Sequence, residues 1–290
     1  MATETTGEST LRAENIERMV KGFALQEYTM KQVLMVSSSN SWSESYYQET
    51  AADLTASGTR SIKGVPRLAN FPYGEVSFEK KSAYMEKYAF EGVISWEDEK
   101  TNAIDVIART LLRIARGVAK AVDDEIWEVL SEGQSPTNIN DTSITAGNEW
   151  DSSTVANRDP IQNILDARSE IKKNNYKISN GFLLLSPTDE SNLLGNANIR
   201  NAGQFYTDSV TKNGVIGRAL GLTFIVSNSV TEDYAMVVGN KEAATWKAAH
   251  PLTVVTIEDP GIKKTVRAWE LGVTQLINPK AITLISNTQE

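Results

Sequence analysis

The stretch Thr101–Ser131, TNAIDVIARTLLRIARGVAKAVDDEIWEVLS, decides the fold. Apolar residues recur at Ile104, Ile107, Leu111, Ile114, Val118, Val122, Ile126 and Val129. Steps of three and four place them in one stripe along a helix. Asp105, Arg109, Arg113, Arg116, Lys120, Asp123, Asp124 and Glu128 fall on the other face. At 1.5 Å per residue such a helix is ~46 Å long, beyond most globular helices. Gly117 is its one weak helix former, and Gly133 stands past its end as a stop. Ser95-Trp96-Glu97-Asp98 reads as a capping box, which predicts a first helical turn ahead of the main run.

Upstream of the helix the grammar changes. Gly58, Gly64, Pro66, Pro72 and Gly74 concentrate turn residues. Val76 and Phe78, then Tyr84, Tyr88, Phe90 and Val93-Ile94, alternate with polar positions. Residues 44–94 therefore read as a β-hairpin with two long arms and a loop-rich tip. Between Arg60 and Tyr88 it holds six bases (Arg60, Lys63, Arg67, Lys80, Lys81, Lys87) against three acids. A ribbon this polar buries too little apolar surface to be stable alone, so it must lie on something. A second copy of the same acidic chain is the expected support.

Residues 1–43 read as a polar tail and one helix. The helical pattern runs from Leu11 to Val36 and is cut by Ser37-Ser38-Ser39-Asn40-Ser41. This predicts an N-terminal arm with a flexible break; the alternative is a first helix packed on its own domain. MATETTGEST is acidic and polar and does not read as a signal peptide.

Downstream, residues 132–158 are rich in Gly, Ser, Thr, Asn and Asp and read as a surface excursion anchored by Ile139, Ile144 and Trp150. Asp159-Pro160 opens a helix expected to bury Ile161, Ile164, Leu165 and Ile171 and to end in Lys172-Lys173. Gly181–Leu185 is a buried strand, and Ser186-Pro187-Thr188-Asp189 starts a second helix ending near Leu194-Gly195. Residues 196–213 read as an exposed loop. Strands follow at Thr223–Val226, Ala235–Val238, Leu252–Ile257, Thr265–Ile277 and Ala281–Ile285, with turns at Asp259-Pro260-Gly261 and Asn278-Pro279.

Composition narrows the chemistry. The chain has 290 residues, 40% hydrophobic and 23% charged, with net charge -8. That balance argues against an autonomous nucleic-acid binder. Without cysteine there is no disulfide, thiol catalyst or Cys-based zinc site. The one histidine, His250 beside Pro251, reads as a loop or strand-end residue and not as a ligand. Asp123-Asp124 and Glu97-Asp98-Glu99 diverge on a helix and read as solvated faces or ion-pair partners. No run approaches the ~20 apolar residues that span a bilayer. The glycines at 214, 217 and 221 match neither the dinucleotide fingerprint nor the P-loop. Expected catalytic, cofactor-binding and metal residues are none, cofactors are none, and the chain is not expected to be an enzyme.

The order of parts resembles the major capsid proteins of tailed bacteriophages and related viruses, the Hong Kong 97 fold. EGVISWE (91–97) leading into the long helix, with Ala121-Val122-Asp123-Asp124 near its end, looks like the family's strand-to-spine junction. Asp159 to Leu194, then GRALGLTFIVS (217–227), looks like its axial-domain opening. The resemblance implies an α+β fold: N-terminal arm 1–43, E-loop hairpin 44–92, peripheral domain 93–158 continued by 244–278, and axial domain 159–243 completed by 279–290. It also implies self-assembly as hexamers and pentamers into an icosahedral shell around double-stranded DNA, a virion location after assembly in host cytoplasm, and no membrane contact. A portal and a decoration protein are further expected partners. The absence of a long helical extension before the arm points to a separate scaffolding protein.

Arg60, Lys63, Arg67, Lys80 and Lys81 are the expected inter-subunit contacts. One branch of the family crosslinks Lys to Asn between subunits, and Lys63, Lys80 or Lys81 could serve by position. Two alternatives stay open: an encapsulin-like compartment with a protein cargo, and a soluble α/β enzyme with an unrecognised site.

Overall fold

The long apolar stripe forms one helix preceded by a short one. The computed structural model describes residues 16, 18–21, 28–49, 63–70, 78–101, 104–197 and 218–290. Helix α1 (Trp96–Lys100) is the first turn expected from the capping box, and α2 (Ile104–Leu130) is the long helix. Leu111, Ile114, Val118, Val122 and Ile126 are all buried to 1% exposure or less. Each contributes about 1.5–3 kcal/mol of burial, so packing and not propensity holds α2 together. The side chains of Ile104, Asp105 and Ile107 lie outside the described residues. Gly133 has φ 62° and ends the helical course.

Among the described residues, twelve strands make two sheets and a ribbon. The first sheet has the order β1 (Met35–Ser38), β10 (Ala244–Asp259), β11 (Lys263–Leu276), β4 (Glu86–Ser95). β10, β11 and β4 are antiparallel neighbours, and β1 runs parallel to β10. Register pairs Ile94 with Lys264, Gly92 with Val266, Phe90 with Ala268 and Tyr88 with Glu270. This set faces α2. A Cβ at Gly92 would run into Ile114, and one at Gly117 would meet the Phe90 ring at 3.2 Å. Gly117, the weak point of the helix by propensity, is thus the seat of an aromatic ring. The alternate set faces away and includes Val93, Val255 and Ile257, each more than a third exposed.

The second sheet has the order β5 (Asn140–Ser143), β12 (Ile282–Ser286), β9 (Tyr234–Val238), β6 (Gly181–Leu185), β8 (Leu222–Val226), β7 (Arg218–Ala219). Both its faces are buried, which is why GFLLL reads as a continuous apolar run. Leu184, Met236, Val238, Ile282 and Leu284 join the core around α2. Leu183, Leu185, Ala235, Val237 and Ile285 join a second core under α3 (Pro160–Lys173) and α4 (Pro187–Gly195), with Ile144 and Trp150. Both helices start as expected. Asp159 accepts from the Gln162 N–H at 3.1 Å, and Ser186 from the Asp189 N–H at 3.1 Å.

Several expectations give way. The helical pattern does not continue to Val36. Helical backbone is described at 16 and 18–21, then Met30–Gln32 form a 3-10 turn and Met35–Ser38 are β1. Tyr28, Met30, Val33 and Leu34 are buried in the core of their own subunit. The "flexible" serines Ser37 and Ser38 instead pair with Lys247 and Ala248. The tail 1–15 and the loop 198–213 lie outside the described residues. The excursion after α2 contributes β5, parallel to β12 in the second sheet, and its three anchors are buried. In α3, Leu165 is exposed and Ala167 takes the inward place. His250 lies within β10, where the register shifts around Pro251, and its ring stacks on Trp269 at 6.3 Å.

Gly272 on β11 offers a test of packing. A Cβ there would overlap the Trp246 indole, with the Lys247 carbonyl oxygen 2.9 Å away. Gly272→Ala is expected to destabilise the fold by about 1–3 kcal/mol, read as a lower midpoint in denaturant unfolding.

Candidate assembly surface

The ribbon, unlike the two sheets, has one face with no described segment packed over it. β2 (Ser43–Glu49) and β3 (Phe78–Tyr84) pair antiparallel, from Ser43 opposite Tyr84 to Glu49 opposite Phe78. Its ladder ends at Met85, whose N–H donates to the Trp42 carbonyl. Strand β4, expected as the continuation of the second arm, belongs to the first sheet.

Alternation gives the ribbon two unlike faces. Glu44, Tyr46 and Gln48 point to the subunit's own β11. The Gln48 amide donates to the Leu276 carbonyl at 3.1 Å, and the Gln275 amide donates to Glu44 at 3.2 Å. The Glu49 N–H donates to the Ile277 carbonyl, and Tyr176 O–H to the Glu49 carboxylate. So the inner face rests on its own body and not, as expected, only on a second copy. The outer face carries Tyr47 (60% exposed), Phe78 (50%) and Tyr84 (70%), with the rings of Tyr47 and Phe78 edge to face at 6.3 Å. Trp42, 74% exposed, lies at the root.

The five predicted bases do not converge. Arg60 lies outside the described residues. Lys63 and Arg67 are exposed in the segment 63–70 beyond the ribbon. Lys80 shares the outer face with the three aromatics, opposite Tyr47. Lys81 points the other way, opposite Tyr46, and lies 3.7 Å from Glu79. A pair so exposed is worth ~0–1 kcal/mol. Tyr47 was missed because SESYYQE offers too few apolar residues to read as an alternating strand. Among the described residues no three His, Asp or Glu side chains are grouped to hold a metal ion.

Below the ribbon, residues 28–31 are clipped to both walls of the first core. The Tyr28 hydroxyl donates to Glu270 Oε2 at 2.6 Å, Lys31 Nζ lies 2.6 Å from Glu270 Oε1, and the Trp246 indole N–H donates to the same oxygen at 3.2 Å. Lys31 also sits over the Tyr28 ring at 3.7 Å. Burial pushes the Tyr28 hydroxyl up and pulls the Lys31 ammonium down, the latter against the pull of Glu270. On the other wall Asp123, expected on a solvated face, is 3% exposed. It accepts from the Thr29 N–H at 2.9 Å, the Thr29 hydroxyl at 2.7 Å and the Met30 N–H at 3.3 Å. Its neighbour Asp124 does pair on the surface, with Lys120 at 2.7 Å.

Burial raises the Asp123 carboxyl above its ordinary value, and the bonds from Thr29 and Met30 offset that only in part. The native state then takes up this proton at a higher pH than the unfolded chain. The group's contribution to stability is full below the unfolded pKa and falls as pH rises through the native one. Asp123→Asn is expected to flatten that slope in a stability–pH profile. Asp123→Ala orphans three donors and is expected to cost about 1–3 kcal/mol, with faster hydrogen exchange at the Thr29 and Met30 amides.

Comparison with known proteins identifies the architecture. A family model described as phage capsid protein matches residues 79–285, from the second arm of the ribbon through the last strand. No curated protein matches the sequence. Among solved structures, a virus-like particle from Pyrococcus furiosus has a TM-score of 0.62 at 12% identity, covering 94% of this chain and 99% of that one. The capsid of cyanophage P-SCSP1u has a TM-score of 0.64 at 13% identity, covering 90% and 88%. A phage-related protein from Bordetella bronchiseptica gives 0.64 at 13%, covering 94% and 96%. At such identities the likeness is one of fold, and it is the α+β Hong Kong 97-like fold. With the spine helix, the two sheets and the ribbon inside or beside the matched span, the chain belongs to the phage capsid protein family.

Proposed function

We propose that this chain is the major shell subunit of a tailed-phage-like particle, assembling as hexamers and pentamers around double-stranded DNA. The observation that carries the reading is the ribbon's outer face: three exposed aromatics and Lys80 on a strand pair whose other face is already seated. A surface of that kind fits a protein partner, and a closed shell supplies one in the form of another copy. The first sheet with α2 would be the peripheral domain and the second sheet with α3 and α4 the axial domain. β5 (140–143) would then go with the axial domain, not with 93–158. Residues 1–43 and 44–92 would be arm and E-loop, the arm's last third already docked on its own subunit. Lys63, Arg67, Lys80 and Arg60 would meet acids of neighbouring copies, with Lys81 turned away from them. The subunit would do no catalysis and need no cofactor. Scaffolding, portal and decoration proteins would be its other partners, and the assembled particle its location, after assembly in host cytoplasm.

A second reading is a virus-like compartment that encloses a protein. It is favoured by the near-complete coverage of the Pyrococcus furiosus virus-like particle chain. The contents of purified shells, DNA or a single protein, separate the two.

Negative-stain imaging of the purified chain is expected to reveal closed shells; a monodisperse small species at every concentration would refute the proposal. Reversal of Arg60, Lys63 and Arg67 to Glu together is expected to reduce shell yield at least several-fold while circular dichroism of the unassembled chain stays unchanged.

A further inference from the structure

The second sheet is electrically uneven along its strands. At one end β6 starts, β9 stops and β12 starts, since Gly181 pairs with Leu222 and Val238 with both Phe182 and Ile282. Lys241 follows β9, Lys280 precedes β12, Lys177 precedes β6, and Lys172 stands in the last turn of α3. The Gly239 N–H donates to the Ala281 carbonyl, which ties two of these turns together. Lys172, Lys177 and Lys241 are exposed and Lys280 is partly buried. Acids also approach this end, and each is engaged locally. Glu49 takes the Tyr176 hydroxyl, Glu132 the Thr137 and Asn138 N–H groups, Glu170 the Lys173 ammonium and Glu242 the Asn240 amide. One turn before Lys172, the Arg168 guanidinium lies against the Leu220-Gly221 turn, 3.5 Å from where a Cβ on Gly221 would stand. Its Nε is buried and has no hydrogen-bond partner among the described residues. A donor left so is satisfied by an acceptor brought from outside.

The opposite end, where β6 stops and β9 starts, is acidic. Glu232 and Asp233 precede β9, Glu190 lies in the first turn of α4, and Asp151 is bonded to Glu290. Asp233 accepts from the Gln289 N–H and Asp151 from the Glu290 N–H, both at 2.9 Å, and neutral amides leave the charge in place. Bases approach here too. Arg158 donates to the Asp151 and Ser152 carbonyls, and Arg116 and Lys120 line the cleft beside Ser227–Ser229, where Lys120 pairs with Asp124. The acids still outnumber them.

We propose that copies of this chain pack head to tail through these two ends. The lysine end of one second sheet meets the acid end of the next, and Arg168 takes a carboxylate across the contact. The inference rests on the reading of the chain as a ring-forming shell subunit. Helix dipoles account for Lys172 and Glu190, but Lys177, Lys241, Lys280, Glu232, Asp233 and Glu290 stand outside any helix. A two-fold contact needs a patch that matches itself, and lysines facing lysines do not. A heterologous contact sets one surface against a different one, and it can close into rings of five or six with the same pair of surfaces. Single exposed pairs are weak, but two faces of opposite sign steer approach and set the register of neighbours.

The test uses the full-length chain. Replacing Lys177, Lys241 and Lys280 by Glu makes both ends acidic, and replacing Glu190, Glu232 and Glu290 by Lys makes both basic. Each variant alone is expected to lose at least ten-fold in shell yield, by sedimentation velocity and negative-stain imaging. Circular dichroism of the unassembled chains is expected to stay unchanged. A chain with all six changes exchanges its ends and is expected to regain shells. An equal mixture of the two variants is expected to alternate around each ring, which then closes only with even numbers. Six-fold assemblies without five-fold vertices are the result. Shells from either variant alone at wild-type yield would overturn the inference and spare the shell reading. So would folded chains that assemble neither with all six changes nor as the mixture. A wild type that never forms shells, beside variants that associate only when mixed, sinks the shell reading and keeps the contact.

Discussion

Burial of one long helix between two sheets is the constraint on which the remainder depends. Its apolar stripe packs on β4 and β11, and Arg109, Arg113 and Lys120 on the opposite side are exposed. Towards its C-terminus the cover closes around it. Trp127 is buried and its indole donates to Thr231, and Asp123 is buried against residues 29 and 30. The same helix is thus a wall of the first core and the beam against which the second sheet is set. A rod of 27 residues, ~40 Å, transmits position between the two without a hinge. Gly117 would be the natural place for one, but the Phe90 ring fills it.

The polar groups near this junction are unusual because they are buried and yet satisfied. Glu270, 3% exposed, takes bonds from Tyr28, Lys31 and Trp246, and Asp123 takes three from Thr29 and Met30. Removing one member leaves partners uncompensated, which costs more than the pair is worth when intact. Such a network stabilises one register above all others. Its effect here is to set where residues 28–34 enter the core, and through β1 and β2 where the ribbon leaves it.

The ribbon is accordingly only half provided for. Its inner face has hydrogen-bonded partners on β11, so its direction is set before any neighbour arrives, and less ordering entropy remains to be lost on assembly. Its outer face keeps three aromatics in water. Charge is divided in the same way, with Lys80 on the outer face beside the aromatics and Lys81 on the inner one.

Periodicity made the long helix, both capped helices and nearly every late strand legible, because caps, proline positions and apolar spacing are local properties. β1 and β5 were not, since MVSS and NDTS carry no pattern of their own and become strands only where β10 and β12 offer unpaired edges. The five bases were legible as a basic region, but which side each takes depends on the register of β2 with β3, and Tyr47 on the outer face had no signal of its own. Asp123 shows the limit most plainly. By spacing it belongs beside Arg116 and Lys120 on a wet face, and nothing local separates it from Asp124. Sequence alone determined the helix, its stripe and its basic row; tertiary structure alone decided where that face is covered, because burial depends on what other segments bring to it.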